Sequence, residues 1–310
     1  MRSSSPLVSM ATMRLRPGGW RGCRTTGRSS GMIAARSRST AESTTTPALR
    51  MFSDGKDDGP VLLFVHGWPD DHQMWDKQVA HLKNRYRCVT TDLPGFGADS
   101  DEYDADVEKN GYSIDEIVCR LERTIEKAGN GEPVTLIAHD WGCTFSFLVE
   151  KKRPELVKRM VAIDVGGAVE PGLGSLIIIM SYHLWLIAAF RIGGPIGDVM
   201  ARSFARLVGA PAGARVATAR SCNPYYHYWK RKLDKSQEPM GNLMPRAPLL
   251  FAYGSAGYKR VMPFHADWWA KKVNDKEGSS SVAMTRSKHW VTTDQPEDLN
   301  RELDAFLEKK

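Results

Sequence analysis

Cysteine is scarce in this sequence. The 310 residues hold five (Cys23, Cys88, Cys119, Cys143, Cys222), scattered without the spacings of zinc sites or disulfide frameworks. That excludes a small disulfide-stapled domain and leaves five reduced thiols in a non-secretory compartment as the expectation. No group of His, Cys, Asp or Glu has metal-ligand spacing, so neither a metal nor a cofactor is expected. Acids and lysine are nearly missing from residues 1–50, which carry nine Arg, no Lys and one acid, Glu42. Their +8 leaves −1 for the rest of a chain whose formal net charge is +7. A near-neutral remainder gives no support to nucleic-acid binding. A long uninterrupted apolar run is also lacking. The most apolar stretch, Ser175 to Phe190, falls short of the ~18–20 residues that span a bilayer.

Met1 to about Thr46 is rich in Arg, Ser, Thr and Gly. That composition reads as an organellar transit peptide, mitochondrial slightly before plastid. Pro17, Gly18 and Gly19 count against a long helix there. The alternatives are a disordered tail or a misassigned start, with the protein then cytoplasmic.

From residue 47 onward, strand and helix patterns alternate. Val61 to Val65 is a continuous apolar run, as in a parallel strand buried on both faces. It ends at His66-Gly-Trp-Pro69. Helical spacing follows over Met74 to Asn84, then a strand over Tyr86 to Thr91 ending at Asp92-Leu-Pro-Gly-Phe-Gly97. Ser113 and Glu116 form a capping box before a helix to about Ala128. Val134 to Ala138 is a short strand, and Cys143 to Lys152 suits a helix. Between them, Ala138-His-Asp-Trp-Gly142 has the small flanking residues of a sharp strand-to-helix turn whose central side chain is pushed out at the sheet end. That side chain is Asp140, a carboxylate able to attack carbon and form an ester. The plain alternative is an Asp capping the next helix. The alternation implies an α/β fold: a mostly parallel sheet with helices on both faces.

Met160 to Asp164 reads as the next strand. After it comes an apolar, aromatic segment bracketed by Pro171 to Gly174 and Gly193 to Pro195, read as a helix over the site; a membrane-seated helix is the alternative. Pro248 to Gly254 and Val282 to Thr285 read as the last two strands, and Glu297 to Glu308 as the closing helix. The expected organisation is core 47–167, an inserted helical cap 168–243, and core 244–310.

The three motifs His66-Gly-Trp-Pro69, Asp92-Leu-Pro-Gly-Phe-Gly97 and His139-Asp-Trp-Gly142, in this order, resemble the Asp-nucleophile branch of the α/β-hydrolase fold. That branch holds the soluble epoxide hydrolases and the haloalkane dehalogenases, and the likeness runs over about residues 50–310. It implies that Asp140 is the nucleophile and that His289, just past the last strand, activates the water that cleaves the ester. It also implies an oxyanion hole from the loop holding Gly67 and Trp68 and from the N–H of Trp141. Asp92 and Gly95 are read as shaping a turn. Ser181 to Trp185 resembles the epoxide hydrolase segment that carries one ring-opening tyrosine, which assigns that role to Tyr182. Asn223 to Trp229 resembles, more loosely, the segment carrying the other. Tyr225 is preferred there, with Tyr226 and Tyr228 open and aromatic packing the plain reading of all of them.

The expected activity is hydrolysis of a lipophilic epoxide to a diol. One alternative is a haloalkane dehalogenase, with the Trp141 indole and that of Trp68 or Trp185 holding the halide. Another is a relative that binds a small ligand without catalysis. In one place the sequence departs from the epoxide hydrolase pattern, which puts the acid that orients the histidine just after the next-to-last strand. Gly257 stands about there, and no carboxylate precedes Asp267. Asp164, 24 residues after Asp140, matches the position used by some haloalkane dehalogenases and is favoured over Asp267. The triad is incomplete if neither serves. The partner expected is a small lipophilic substrate, and the sequence says nothing of oligomeric state.

Overall fold

Strands that are apolar on both faces build the centre of the sheet. The described strands, edges included, are β1 (Arg50–Gly55), β2 (Val61–Val65), β3 (Arg87–Asp92), β4 (Val134–His139), β5 (Val157–Ile163), β6 (Leu249–Gly254) and β7 (Ser280–Met284). The computed structural model describes residues 46–97, 105–237, 240–256 and 264–309. The strands stand in the order β1–β3–β2–β4–β5–β6–β7. β1 pairs antiparallel with β3, and the other pairings are parallel. Residues 1–46, read as a transit peptide, lie outside the described residues apart from Thr46.

Alternate residues of each strand serve two separate cores, as the two-residue period of a strand requires. Leu63, Val65, Leu136, Ala138, Met160 and Phe251 face one side, where they meet Ile117, Leu121 and Ile125 of the helix Ile114–Gly129 and Phe145 of the helix Trp141–Lys152. Leu62, Phe64, Ile137, Val161, Leu250 and Ala252 face the other, against Trp75 and against Leu299, Leu303 and Phe306 of the closing helix Pro296–Leu307. This is the expected sheet with helices on both faces. β1 was not anticipated: four of its six residues are exposed and its pattern is weak.

Four described helices separate β5 from β6: Leu173–Ile192, Gly194–Leu207, Gly213–Val216 and Asn223–Leu233. The Leu243 N–H donates to the Gly167 carbonyl at 2.8 Å, closing the chain where this insertion leaves and re-enters the core. The first helix runs two residues further at each end than its apolar pattern suggested. Gly172 starts it and Gly193, with φ of 66°, ends it, so Gly174 sits inside the first turn. The expectation that this stretch is too short to cross a bilayer is therefore corrected: by length and composition the helix suffices. A second correction concerns cysteine. Cys88, Cys143 and Cys222 are free and buried, but Cys119 is disulfide-bonded.

Candidate active site

The chain passes from β2 to β3 on one side of β2, then crosses to β4 on the other. Such a switch point opens a crevice at the carboxyl ends of the two diverging strands. Val65 of β2 is opposite Ala138 of β4, so His66-Gly67-Trp68 and His139-Asp140 leave the sheet side by side.

Asp140 turns from β4 into the helix Trp141–Lys152 with φ of 53° and ψ of −122°. Such a backbone costs on the order of 1–3 kcal/mol and holds the side chain away from the helix it precedes. Its carboxylate does not cap that helix, which sets aside the plain alternative. The turn works only because its neighbours are glycine. A Cβ on Gly67 would stand 2.5 Å from Asp140 Oδ1, and one on Gly142 would stand 2.2 Å from the Val65 carbonyl oxygen. The Trp68 N–H donates to Oδ1 at 2.8 Å, and the Trp141 N–H also reaches the carboxylate. Both backbone donors named for the oxyanion hole thus meet at this carboxylate.

His289 follows β7. Its Nε2 stands 3.5 Å from Asp140 Oδ2 and its Nδ1 2.6 Å from Asp164 Oδ2. Asp164 is fully buried at the end of β5, with φ of 68°, and its other oxygen accepts the Gly254 N–H at 3.0 Å. Asp267 instead opens the helix Asp267–Asn274 with its side chain exposed. The structure thus brings Asp164, and not Asp267, to the imidazole. Gly257, where the epoxide hydrolase pattern has its acid, lies outside the described residues. Burial alone would depress the protonated imidazole, but the carboxylates at its two nitrogens outweigh that and hold the His289 pKa well above the usual value. Burial would likewise raise the Asp140 carboxyl, and the imidazole outweighs it to leave Asp140 below the ordinary range. His139 packs behind the pair, its Nε2 3.0 Å from the His289 carbonyl oxygen.

Sequence reasoning missed Asp70. It is buried and accepts the Trp290 indole N–H at 2.9 Å. Burial pushes its pKa up to about 7, a rise that Trp290 and His289 reduce and that Asp140 and Asp71 add to. An acid one residue beyond Pro69 reads as a solvated loop residue, and only the fold shows that the loop is buried. A carboxyl whose folded pKa is raised stabilises the fold fully below its unfolded value and loses that contribution as pH climbs through the folded pKa. Asp70→Asn keeps an acceptor for Trp290 and removes the buried charge. The variant is expected to melt like the parent near pH 4 and above it at pH 8–9, by at most about 4 kcal/mol. Thermal melts at the two pH values check this; equal displacement at both contradicts it.

Above the carboxylate lie aromatic rings from the insertion. The helix Asn223–Leu233 is docked by Asn223 Oδ1, which accepts the Tyr112 N–H at 2.8 Å, and by His227 Nε2, which donates to the Asn110 carbonyl at 2.7 Å. This puts the buried Tyr225 edge-on to Trp141 at 5.2 Å and to Trp68 at 5.9 Å. Tyr182, from the first helix, stacks on Phe204 at 5.5 Å and meets Tyr225 at 6.1 Å. Tyr228 shares this side, with its ring 5.9 Å from Trp141, whereas Tyr226 turns to Phe190 and Arg191. Burial and the Asp140 charge push Tyr182 and Tyr225 well above the phenol range, so both stay protonated donors. Of the three indoles read as halide donors, Trp185 is engaged elsewhere. The Trp141 indole packs edge-on to the Tyr225 ring at 5.2 Å. Trp68 Nε1 lies against the Cys222 sulfur without hydrogen-bond geometry. Trp185 is on the outer face, donating to the Met200 carbonyl at 3.0 Å. That removes Trp185 as the second halide donor of the dehalogenase alternative: its indole is spent on the neighbouring helix.

A family profile for the α/β-hydrolase fold matches residues 60–191. The chain is 30% identical over 289 residues to epoxide hydrolase 1 of Caenorhabditis elegans, covering 84% of this chain and 68% of that one. Among solved structures it is similar to an epoxide hydrolase of Bacillus megaterium, with a TM-score of 0.66 and 18% identity over 84% of this chain and 97% of the other. A loop variant of a haloalkane dehalogenase from Bradyrhizobium elkanii gives a TM-score of 0.59 and 19% identity over 83% and 91%. The two structural likenesses speak for the fold. The motifs at the switch point and the nematode relative carry the assignment further: the chain belongs to the α/β-hydrolases and is an enzyme of the epoxide hydrolase type.

Proposed function

We propose that the protein opens a lipophilic epoxide to a diol through an ester on Asp140. The observation that carries the reading is the geometry at one carboxylate. Oδ1 is held by the Trp68 N–H at 2.8 Å, and Oδ2 faces the imidazole that Asp164 orients. Oδ2 attacks an epoxide carbon, the ring C–O bond breaks, and its electron pair goes to the oxygen. Tyr182 and Tyr225 donate hydrogen bonds to that oxygen and a proton as it becomes a hydroxyl. Esterification removes one of the two carboxylate charges that keep His289 protonated. The imidazole then loses its proton through solvent, which reprotonates the phenol that gave one up, and the imidazole becomes the base. Water attacks the ester carbonyl carbon and gives its proton to Nε2, while Oδ1 takes the negative charge between the backbone donors. Collapse breaks the bond between the carbonyl carbon and Oδ2, and the departing oxygen takes the second proton of the attacking water; this gives the diol, the carboxylate and a protonated His289.

Two protonated phenols placed together under the influence of the Asp140 charge favour an epoxide over a haloalkane. A non-catalytic ligand binder is less well supported, because it leaves the oriented imidazole without work. The test is turnover of an epoxide panel and a haloalkane panel, scoring diol against halide. Diol from epoxides is expected. Tyr182→Phe is expected to slow ester formation by roughly 10²–10³-fold, the cost of one lost donor to a developing oxyanion. Halide release with unchanged Tyr182→Phe turnover would replace this reading with dehalogenation.

A further inference from the structure

The outer face of the insertion is apolar in a way that the reaction does not use. In the helix Leu173–Ile192, Leu173, Ile177 and Leu184 recur at helical spacing with Trp185 flanking them, and the four are 77%, 60%, 60% and 44% exposed. The opposite side of the same helix is buried through His183, Leu186, Ala189 and Phe190. The next helix, Gly194–Leu207, continues the surface with Ile196 and Val199, 67% and 64% exposed. The two helices are in close contact, since a Cβ on Gly197 would stand 2.3 Å from the Ala189 carbonyl oxygen. The Trp185 indole N–H bridges them to the Met200 carbonyl, so the two stripes form one face. A contiguous apolar surface of this kind on a folded domain marks a partner or a membrane.

Two further observations select the occupant. First, the polar atoms on this face are satisfied within it. Ser181 Oγ donates to the Ile177 carbonyl at 2.8 Å and Ser203 Oγ to the Met200 carbonyl at 2.8 Å, which lowers the cost of removing the face from water. Second, its charge has one sign. Residues 171–209 contain Arg191, Arg202 and Arg206 and a single acid, Asp198. Asp198 accepts the Ala219 N–H at 2.8 Å and pairs with Arg202. Arg191 and Arg206 are exposed beside the apolar residues. An apolar surface edged by cations is complementary to an anionic bilayer surface, where the apolar side chains enter the acyl boundary and the guanidinium groups meet phosphate. Because the first helix is anchored to the core along its buried side, the geometry is that of a helix lying in the interface and not one that spans it.

We propose that the outer face of the helices Leu173–Ile192 and Gly194–Leu207 docks this enzyme on anionic phospholipid membranes. Docking sets Tyr182, on the inner side of the same helix, within one helix diameter of the bilayer. The proposal concerns the surface alone and stands whether the reaction at Asp140 is epoxide opening or another.

The experiment is flotation of the full chain with vesicles of phosphatidylcholine alone and of phosphatidylcholine mixed with phosphatidylserine. Binding is expected mainly to the mixed vesicles. The double variant Ile177→Asp/Leu184→Asp is expected to lose at least about tenfold in partitioning, since the two changes together remove more than about 1.4 kcal/mol of apolar burial. Arg191→Gln/Arg206→Gln is expected to erase the preference for anionic vesicles while leaving weak binding to both. Both pairs are exposed, and unchanged circular dichroism shows that the variants are folded. Binding by the double Asp variant equal to the parent would assign attachment to the Arg-rich residues 1–50 and overturn the proposal. No binding by the parent overturns it too. So does a parent dimer in light scattering that the double Asp variant turns into monomer, because the face is then an interface between two copies.

Discussion

Asp164→Asn is expected to slow cleavage of the ester intermediate by roughly 10³–10⁴-fold, the scale seen when a carboxylate that orients a catalytic histidine becomes an amide. The reason lies in two of the bonds that Asp164 makes. Oδ1 accepts the Gly254 N–H at 3.0 Å and Oδ2 meets His289 Nδ1 at 2.6 Å. An asparagine has one oxygen for these two donors. If that oxygen keeps Gly254, its NH₂ faces Nδ1 and forces the imidazole proton to Nε2, the nitrogen that must accept a proton from water. The variant also removes a negative charge that raises the His289 pKa, so its residual activity should reach its plateau at lower pH. Asp267→Asn is expected to cost less than twofold, because that side chain is exposed at a helix start. Single-turnover rates of the two variants, measured side by side, check the pair of expectations. Equal or inverted losses contradict the placement of the acid.

His289→Gln is expected to separate the two chemical steps by several orders of magnitude. The Asp140 carboxylate needs no deprotonation to attack, so ester formation should persist. Water without a base should then leave the ester standing. Intact mass should show the protein heavier by one whole substrate, because the ring opens by addition and nothing leaves. An inactive variant of unmodified mass would mean that His289 is required before the ester forms, or for the fold.

The sequence made the reaction centre legible because its parts are local. Gly67 and Gly142 surround a turn whose close backbone approach tolerates no side chain, and the motifs around it carry that constraint. The inner strands announce themselves by being apolar on both faces. What sequence reasoning left open depended on neighbours far apart in the chain. Asp164 and Asp267 were both candidates because the β5–β6 pairing, which sets Asp164 beside Gly254 and His289, has no local signature. Tyr225, Tyr226 and Tyr228 were inseparable until the segment was seen as one helix, where 225 and 228 share a side and 226 does not. Asp70 was overlooked because an acid after proline is the ordinary residue of an exposed turn, and its burial comes from Trp290, 220 positions later. Trp185 stood as a halide donor in the dehalogenase alternative because the sequence marks it as apolar without saying which side of its helix the core occupies.

The central claim is that a carboxylate oxygen of Asp140 bonds to substrate carbon and that water cleaves the resulting ester at its carbonyl. One measurement tests it directly: a single turnover of excess enzyme with an epoxide in ¹⁸O-labelled water, followed by mass spectrometry of the peptide containing Asp140. The mechanism predicts one heavy oxygen in that peptide and an unlabelled diol. A labelled diol with an unlabelled peptide would mean direct attack of water on the epoxide and would contradict the account.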